Sequence, residues 1–217
     1  RRAGRSRAGR RRAGRRRRAG RRRAGARMRA RRVKGLDPDG TLADNAEQIV
    51  RVRLDELCGF MPTAADPREV VALHDMRIAA KRLRYILEIT GPCFGPYAKT
   101  ATRLVKDVQD LLGEIHDCDV QIPETAAFAE MLQVADAAAL YQAAGSAPDL
   151  DPALLKQAPH AREHAGVAVL QAHLRARRLL RFDRFIELWD DLERKGFRAR
   201  LEYAAGERAD VHIEPQR

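Results

Sequence analysis

The residues most able to do chemistry in this chain lie between positions 74 and 85, in the segment HDMRIAAKRLRY. A helix turns by about 100° per residue, so four cationic or titratable side chains of this segment fall on one side of it. We call this set the cationic stripe: His74, Arg77, Lys81 and Arg84. Its members repeat at a pitch of about 5 Å along the helix. A ligand that carries regularly repeated negative charges would match that pitch.

The apolar residues of the same segment fall on a different side of the helix, and we expect them to be buried: Leu73, Met76, Ala80, Leu83 and Leu87. Basic residues on an amphipathic helix are most often simply solvated. Here no acidic residue lies between Asp75 and Glu88, so the stripe is not neutralised within its own helix. An anion-binding stripe and a solvated face therefore both stay open at this point.

The charge of the chain is divided very unevenly. The formal net charge is +12, which by itself would suggest nucleic acid as a partner. Residues 1–34, however, hold 19 of the 42 Lys and Arg residues and no acid. The remaining 23 basic residues stand against all 30 acidic ones, so residues 35–217 have a net charge of −7. The argument for nucleic acid thus depends on the N-terminal tail alone.

That tail repeats Arg-Arg-Ala-Gly with variations and has almost nothing to bury, so residues 1–34 are predicted to be disordered. Three interpretations compete for it. In the first, it is an arm that binds polyanions such as nucleic acid without specificity. In the second, it is a targeting segment, although it lacks the usual apolar or amphipathic pattern. In the third, translation starts at Met28, and the residues before it result from a start codon assigned too far upstream.

The rest of the chain is long enough for one domain with a core. No apolar stretch has the length of a membrane span, and no signal peptide is visible. The three cysteines, Cys58, Cys93 and Cys118, are far apart and form no metal-ligand pattern. We therefore expect idle thiols, a cytoplasmic protein, and neither a metal nor another cofactor.

The pattern predicts an all-α protein, an antiparallel helical bundle over residues 42–195. In the second helix, Asp66 is predicted to be the N-cap, with Pro67 at the first helical position and Glu69 completing a capping box. Pro123 and Asp183 are predicted to begin new helices, and 196–217 to be a poorly packed tail. The predicted helices span 42–60, 67–90, 96–120, 123–144, 160–182 and 183–195.

Two other helices carry side chains that could complement the cationic stripe. The third has a second stripe, basic at Lys99, Arg103 and Lys106 and then acidic at Asp110 and Asp117, with a glycine between the two acids. If it packs antiparallel to the second helix, either acid could orient a cation of the stripe, and the glycine would let the backbones approach. On the fifth helix, four residues fall near one side: Arg162, His173, Arg177 and Arg184. Cations that converge from three helices repel one another unless an anion lies between them.

Two segments of the chain resemble the CHAD domain, the conserved histidine α-helical domain. They are HDMRIAAKRLRY and, some 30 residues later, LLGEIHDCDV. The later LRARRLLRFDRFIELWDDL resembles the basic helix of that family more loosely. Two departures stand out. His116 takes the place of an arginine, and the chain is short beside family members that are built from two four-helix halves.

The resemblance implies a bundle with a basic central groove that binds inorganic polyphosphate. When the family's pattern is transferred to this sequence, nine residues are expected to contact the ligand and three acids are expected to belong to the scaffold. The contacts are His74, Arg77, Lys81, Arg82, Arg84, Arg103, Lys106, His173 and Arg177, and the scaffold acids are Asp110, Asp117 and Asp119. A protein with such a groove could also associate with polyphosphate or other storage granules.

Two rival functions remain. A nucleic-acid-binding protein driven by the tail would lack aromatic platforms, because aromatic residues are only 5% of the chain. A phosphohydrolase would need metal-binding carboxylates or a base beside a nucleophile. Asp117 and Asp119 are the only close acidic pair near the motifs, and residues two apart on a helix point in different directions. We therefore expect a protein that is not an enzyme.

Overall fold

The computed structural model describes residues 30–207, and over that range the chain is all-α with no β-strand, as predicted. Residues 1–29, which hold most of the predicted disordered tail, and 208–217 lie outside the described part. No helix between residues 30 and 207 is long and apolar enough to cross a membrane. The helices are α1 (Leu42–Cys58), α2 (Met61–Ala64), α3 (Val70–Thr90), α4 (Tyr97–Ala144), α5 (Ala161–Arg194) and α6 (Phe197–Gly206), with 3₁₀ turns at Gly91–Cys93 and Pro152–Gln157.

The hydrophobic core lies where α1, α3, the first part of α4, the last part of α5 and α6 meet. One fully buried side chain from each of these five helices illustrates it: Leu54, Leu83, Leu112, Phe185 and Leu201. The apolar side of α3 is buried throughout, as its periodicity predicts. Burial of that side fixes the rotation of α3 and so decides where its cations project.

The predicted capping of α3 is wrong. The helix begins at Val70, and its N-cap residue Glu69 makes no side-chain hydrogen bond to the helix. Asp66 instead accepts hydrogen bonds from the backbone N–H and the guanidinium of Arg68, which closes a separate turn. These bonds lower the pKa of Asp66 to about 2. The local Asp–Arg pair therefore competes successfully with the capping box.

The predicted break at Pro123 is also wrong, because α4 is one continuous helix of 48 residues with Pro123 inside it. Proline has no N–H, so the Asp119 carbonyl lacks one helical hydrogen bond. Tertiary contacts hold the helix together on both sides of this defect. Asp119 pairs with Arg178 of α5 on one side, and Asp136 accepts a hydrogen bond from His164 of α5 on the other.

The predicted break near residue 182 does not exist, since α5 is a single helix of 34 residues. Asp183 is exposed within the helix and caps nothing. No glycine or proline occurs between Gly166 and Gly196. Four apolar side chains continue on one face, at the helical spacing of three and four residues: Phe182, Phe185, Trp189 and Leu192. Their burial holds the helix straight through the predicted break.

The segment that follows α5 was predicted to be poorly packed, and over 197–206 this is wrong. Gly196 adopts φ 66°, a left-handed conformation that suits glycine, and turns the chain from α5 into α6. Phe197, Leu201 and Ala205 of α6 are then buried in the core. The apolar side of α6 was not recognised in the sequence because this helix also contains many polar residues.

The boundary of the basic tail also differs from the prediction of residue 34. The backbone N–H of Arg31 donates to the buried carboxylate of Glu56 in α1. Arg53 binds the same carboxylate and donates to the Arg31 carbonyl over 3.1 Å. Residues from Arg31 onward therefore contact the helical body, because a buried acid of α1 needs these donors.

Antiparallel helices α4 and α5 form a long hairpin whose tip is tied by a buried carboxylate. Asp136 accepts a hydrogen bond from His160 Nδ1 over 2.6 Å and another from His164 Nε2 over 2.9 Å. The His160 backbone N–H donates to Asp136 as well. Burial opposes ionisation of Asp136, but these donors outweigh it and hold its pKa below the ordinary value of 3.8.

Replacing Asp136 with asparagine should therefore destabilise the protein in a pH-dependent way. A carboxyl whose pKa is lowered by folding contributes stability above its unfolded pKa and loses that contribution as the pH falls through its folded pKa. Urea unfolding of the parent and Asp136→Asn should differ at pH 7, and the difference should shrink below about pH 4. Asp107→Asn, at an exposed position on the same helix, is the control and should show no such trend. A constant difference at all pH values would contradict the assignment.

Candidate anion-binding site

Helices α3 and α5 both bring arginines to one turn of α4. Arg77 of α3 lies over Gly113, because a Cβ built there would be 3.6 Å from Arg77 Nε. Glu114, the next residue, pairs with two arginines of α5. Its Oε2 is 3.2 Å from Arg177 Nη2 and 2.5 Å from Arg181 Nε. Two guanidinium groups of α5 therefore share one carboxylate, and a third, from α3, lies over the preceding residue. We call these four residues the arginine cluster.

Gly113 does not serve as the sequence suggested. It was expected to let the backbones of two helices approach, but Arg77 Nε is what its Cβ would meet within 4 Å. A Cβ at Gly113 would make ordinary van der Waals contact with that guanidinium group, so no close backbone approach occurs there. Arg77 Nε is also buried, and no residue between 30 and 207 makes a hydrogen bond with it. A buried donor without a partner costs free energy.

His74 and His116 lie together beside the arginine cluster. Their Nδ1 atoms are 3.3 Å apart, and their ring centres are 4.5 Å apart with the planes tilted by 44°. Both side chains are half-buried. His116 lies one helical turn from Gly113, so the pair is adjacent to Arg77. The residue that departs from the family pattern therefore contacts the histidine that begins the cationic stripe.

The basic stripe at the start of α4 lines a cavity of about 490 Å³ against the end of α3. Lys99, Arg103 and Lys106 are its cations, and all three are exposed. From α3 the wall includes Glu88, which lies 3.4 Å from Arg84 Nε. The cavity thus brings together three predicted basic residues of α4 and connects them, through Glu88, to the cationic stripe.

The remaining cations of α3 differ in their surroundings. Lys81 is exposed, with Nζ 5.6 Å from the centre of the Tyr85 ring. Arg84 stacks over the same ring at 4.9 Å, and its side chain is only 16% exposed. Arg82 is half-buried and projects about 100° around the helix axis from Lys81. The stripe therefore combines one exposed lysine with two partly buried arginines.

On α5, the structure separates residues that the sequence grouped together. Arg177 belongs to the arginine cluster, as described above. His173 and Arg184 are exposed, and no contact joins either to the arginine cluster within the described residues. Arg162 is exposed near the tip of the hairpin. Because α5 does not break, its register is continuous, and the arginines that face α4 are Arg177, Arg178 and Arg181.

The three predicted scaffold acids have different environments. Asp110 pairs with Lys106 on its own helix and orients no cation of α3. Asp117 is exposed, and within the described residues no hydrogen bond or ion pair engages it. Asp119 alone links helices, since its Oδ1 is 2.5 Å from Arg178 Nε. Arg178 also donates to the Pro67 carbonyl over 2.8 Å, so this pair connects α4, α5 and the turn before α3.

Glu114, Arg178 and Arg181 were missed by the sequence argument. All three lie inside the segments that resemble the CHAD motifs, so their types were visible, but their partners lie 59 to 67 residues away. Charge alone could have suggested them. From 107 to 144 the chain has acids and no Lys or Arg, and from 164 to 182 it has arginines and no acid.

The cysteines and possible metal ligands of the described residues are not gathered into a metal site. Between residues 30 and 207 no group of three or more His, Cys, Asp and Glu residues is placed to hold a metal ion. All three cysteines are free, and burial raises the pKa of Cys58 to about 11. That thiol stays protonated at neutral pH and is a poor nucleophile.

Comparison with known families identifies the family of this chain. The CHAD domain family model matches residues 1–125, more than half of the chain, and the chain belongs to this family. The match includes the cationic stripe, the LLGEIHDCDV segment and the Gly113–Glu114 turn. No significant match was found among curated proteins or among solved structures. The loose resemblance of α5 to the third motif lies beyond the matched residues.

Proposed function

We propose that this protein binds inorganic polyphosphate without turning it over. The observation that carries the proposal is the arginine cluster, in which Arg177 and Arg181 share the carboxylate of Glu114 and Arg77 lies over the adjacent Gly113. Guanidinium groups bind phosphate oxygens through paired hydrogen bonds. Crowded cations of this kind repel one another in the absence of an anion, so a polyanionic ligand accounts for their convergence.

The ligand surface would extend along α4 from the cavity to the arginine cluster. Lys99 and His116 mark its two ends, which are about 26 Å apart at 1.5 Å per residue. Arg84 and Lys81 lie between them on the α3 side. A linear anion with many charges could contact both ends at once, whereas a single phosphate would contact one. The same surface could hold the protein on a polyphosphate granule in the cytoplasm.

A binding function without catalysis fits the placement of the acids. Asp119 is engaged by Arg178, and Asp117 is exposed two residues away on the helix. Neither position provides a base poised beside a nucleophile. The expected result is that purified protein incubated with polyphosphate releases no phosphate at a rate above the buffer, with and without Mg²⁺. Sustained release by the parent that disappears in Arg77→Ala would show that the site is catalytic.

Titration with three polyanions should separate this function from nucleic-acid binding by the tail. The full chain and a variant that begins at Met28 would each be titrated with polyphosphate, duplex DNA and single-stranded RNA at matched charge and two salt concentrations. We expect removal of residues 1–27 to abolish most DNA and RNA binding while polyphosphate binding persists. Affinity should still fall with salt, because binding releases counterions.

The outcome that contradicts the proposal is loss of polyphosphate binding together with the tail. In that case the arginine cluster would be structural, and the tail would act as an unspecific polyanion-binding arm. Far-UV circular dichroism of both proteins is the control, since the truncated variant should keep the helices of residues 42–206.

A further inference from the structure

The pair formed by His74 of α3 and His116 of α4 has a contact geometry that limits its charge. The two Nδ1 atoms lie 3.3 Å apart. One ring donates an N–H to the other only if the second Nδ1 keeps its lone pair, whereas an imidazolium carries protons on both nitrogens. Two imidazolium rings would therefore direct two N–H groups at each other. In this arrangement the pair carries at most one positive charge.

The charged groups around the pair come from three helices. Those within one turn on α3 and α4, together with those of α5 that pair with them, are Asp75, Arg77, Glu114, Asp117, Asp119, Arg177, Arg178 and Arg181. Glu114 and Asp119 are engaged by the arginines of α5. Asp75 and Asp117 directly follow the two histidines, so each points about 100° away from the neighbouring ring. Arg77 is therefore the charge that lies alongside the pair.

Arg77 connects the pair to a bound anion. It follows His74 by one helical turn on the cationic stripe, and it lies over Gly113, one turn before His116 on α4. In the absence of a ligand, the positive charge of Arg77 disfavours a second proton on the pair. A phosphate group bound by Arg77 would bring negative charge to the same place and favour that proton.

The residue type at position 116 decides whether this charge is permanent. The family's pattern has arginine there, and arginine is always protonated. His116 supplies a positive charge only when its ring takes up a proton, and an ordinary histidine does so near pH 6.5. The substitution that distinguishes this chain thus replaces a fixed charge with a titratable one next to the arginine cluster.

We propose that His116, paired with His74, takes up a proton when polyphosphate binds, so that the site binds more tightly as the pH falls. One proton from solution binds the Nδ1 lone pair that accepted the contact between the rings. Both Nδ1–H groups then donate to phosphate oxygens, and no covalent bond breaks. The proposal rests on the polyphosphate-binding function proposed above and adds its regulation by pH. A bound state that holds one more proton is favoured at lower pH by linkage.

Isothermal titration of the full chain with long-chain polyphosphate at pH 8, 7 and 6 tests the proposal. In long chains the terminal phosphates, which titrate near neutral pH themselves, are a small fraction of the charge. We expect the affinity to rise by about five- to tenfold from pH 8 to pH 6. At pH 7, titrations in two buffers of different ionisation enthalpy should show net proton uptake on binding.

Two substitutions of His116 are matched controls. His116→Arg makes the charge permanent, so its affinity should stay near the parent's pH 6 value at all three pH values, without proton uptake. His116→Gln removes the charge, so its affinity should stay near the parent's pH 8 value. All other histidines remain in both variants. Circular dichroism should show the same helical content in all three proteins, because His116 is only half-buried.

The outcomes separate this inference from the function on which it rests. Equal affinity of the parent at pH 6 and pH 8, without proton uptake, would overturn the inference and leave the proposed function in place. A pH trend that persists unchanged in His116→Gln would do the same, because the proton would then bind elsewhere. Absence of binding at all three pH values would overturn the proposed function and this inference with it.

Discussion

Asp119→Ala should lower the free energy of unfolding by about 3–5 kcal/mol. The carboxylate is 10% exposed and its partner Arg178 is 13% exposed. Removing the acid leaves the guanidinium buried with only the Pro67 carbonyl to accept from it. An uncompensated buried charge is costly because water can no longer solvate it. For a domain of this size, Tm should fall by about 10 °C.

Asp117→Ala is the matched control for this prediction. The same residue type is removed from the same helix, two positions earlier, but Asp117 is exposed. Its loss should change stability by less than about 0.5 kcal/mol. Replacing both partners, as in Asp119→Leu with Arg178→Met, should recover much of the loss, because no unpaired charge remains. Similar costs at 117 and 119 would show that the link between α4 and α5 is not what matters.

Arg77→Ala should weaken polyphosphate binding by about 1.5–3 kcal/mol, which is roughly a tenfold to hundredfold loss of affinity. Arg77 is the member of the arginine cluster that α3 provides, and its Nε has no hydrogen-bond partner within the described part of the chain. The loss should also reduce the slope of log affinity against log salt by about one unit. Isothermal titration at several salt concentrations measures both quantities.

The comparison with Arg82→Ala makes this prediction specific. Arg82 carries the same charge on the same helix but projects away from the stripe, so its loss should cost clearly less. Lys81→Ala and Arg84→Ala should fall between them or match Arg77→Ala. The Arg77→Ala variant should melt no lower than the parent, since removing one of three crowded guanidinium groups relieves repulsion. Equal losses of affinity at 77 and 82 would indicate that total charge, and not the arrangement of the stripe, governs binding.

Helix α3 is the element whose buried and cationic sides were predicted correctly from the sequence alone. Its five predicted apolar positions are all buried, and the stripe of His74, Arg77, Lys81 and Arg84 lies on another side, as expected. Both statements depend only on the 3.6-residue repeat of the helix, which is a local property. The all-α class followed from the same kind of local pattern, whereas the family was suggested by the resemblance of HDMRIAAKRLRY and LLGEIHDCDV to the CHAD motifs.

The ends of the helices were less predictable because capping and tertiary contacts compete. Pro123 and the region near residue 182 carry signals that usually end a helix, yet α4 and α5 pass through them. Ion pairs and buried side chains on both sides supply more stabilisation than the local signals remove. Those contacts join residues 24 to 67 positions apart, so no local pattern could reveal them.

Sequence alone determined which residue types are available for anion binding. These are the four cationic or titratable side chains on one side of α3 and the basic stripe at the start of α4. Only the tertiary structure decided which of them converge. Asp117 and Asp119 are chemically identical, but they are separated by about 200° around α4, and only Asp119 faces Arg178. In the same way, Gly113 and Glu114 became the meeting point of three arginines because α3 and α5 pack on either side of one turn. Rotation and register of packed helices are set by the burial of distant apolar residues, and so they emerge only when the chain is folded.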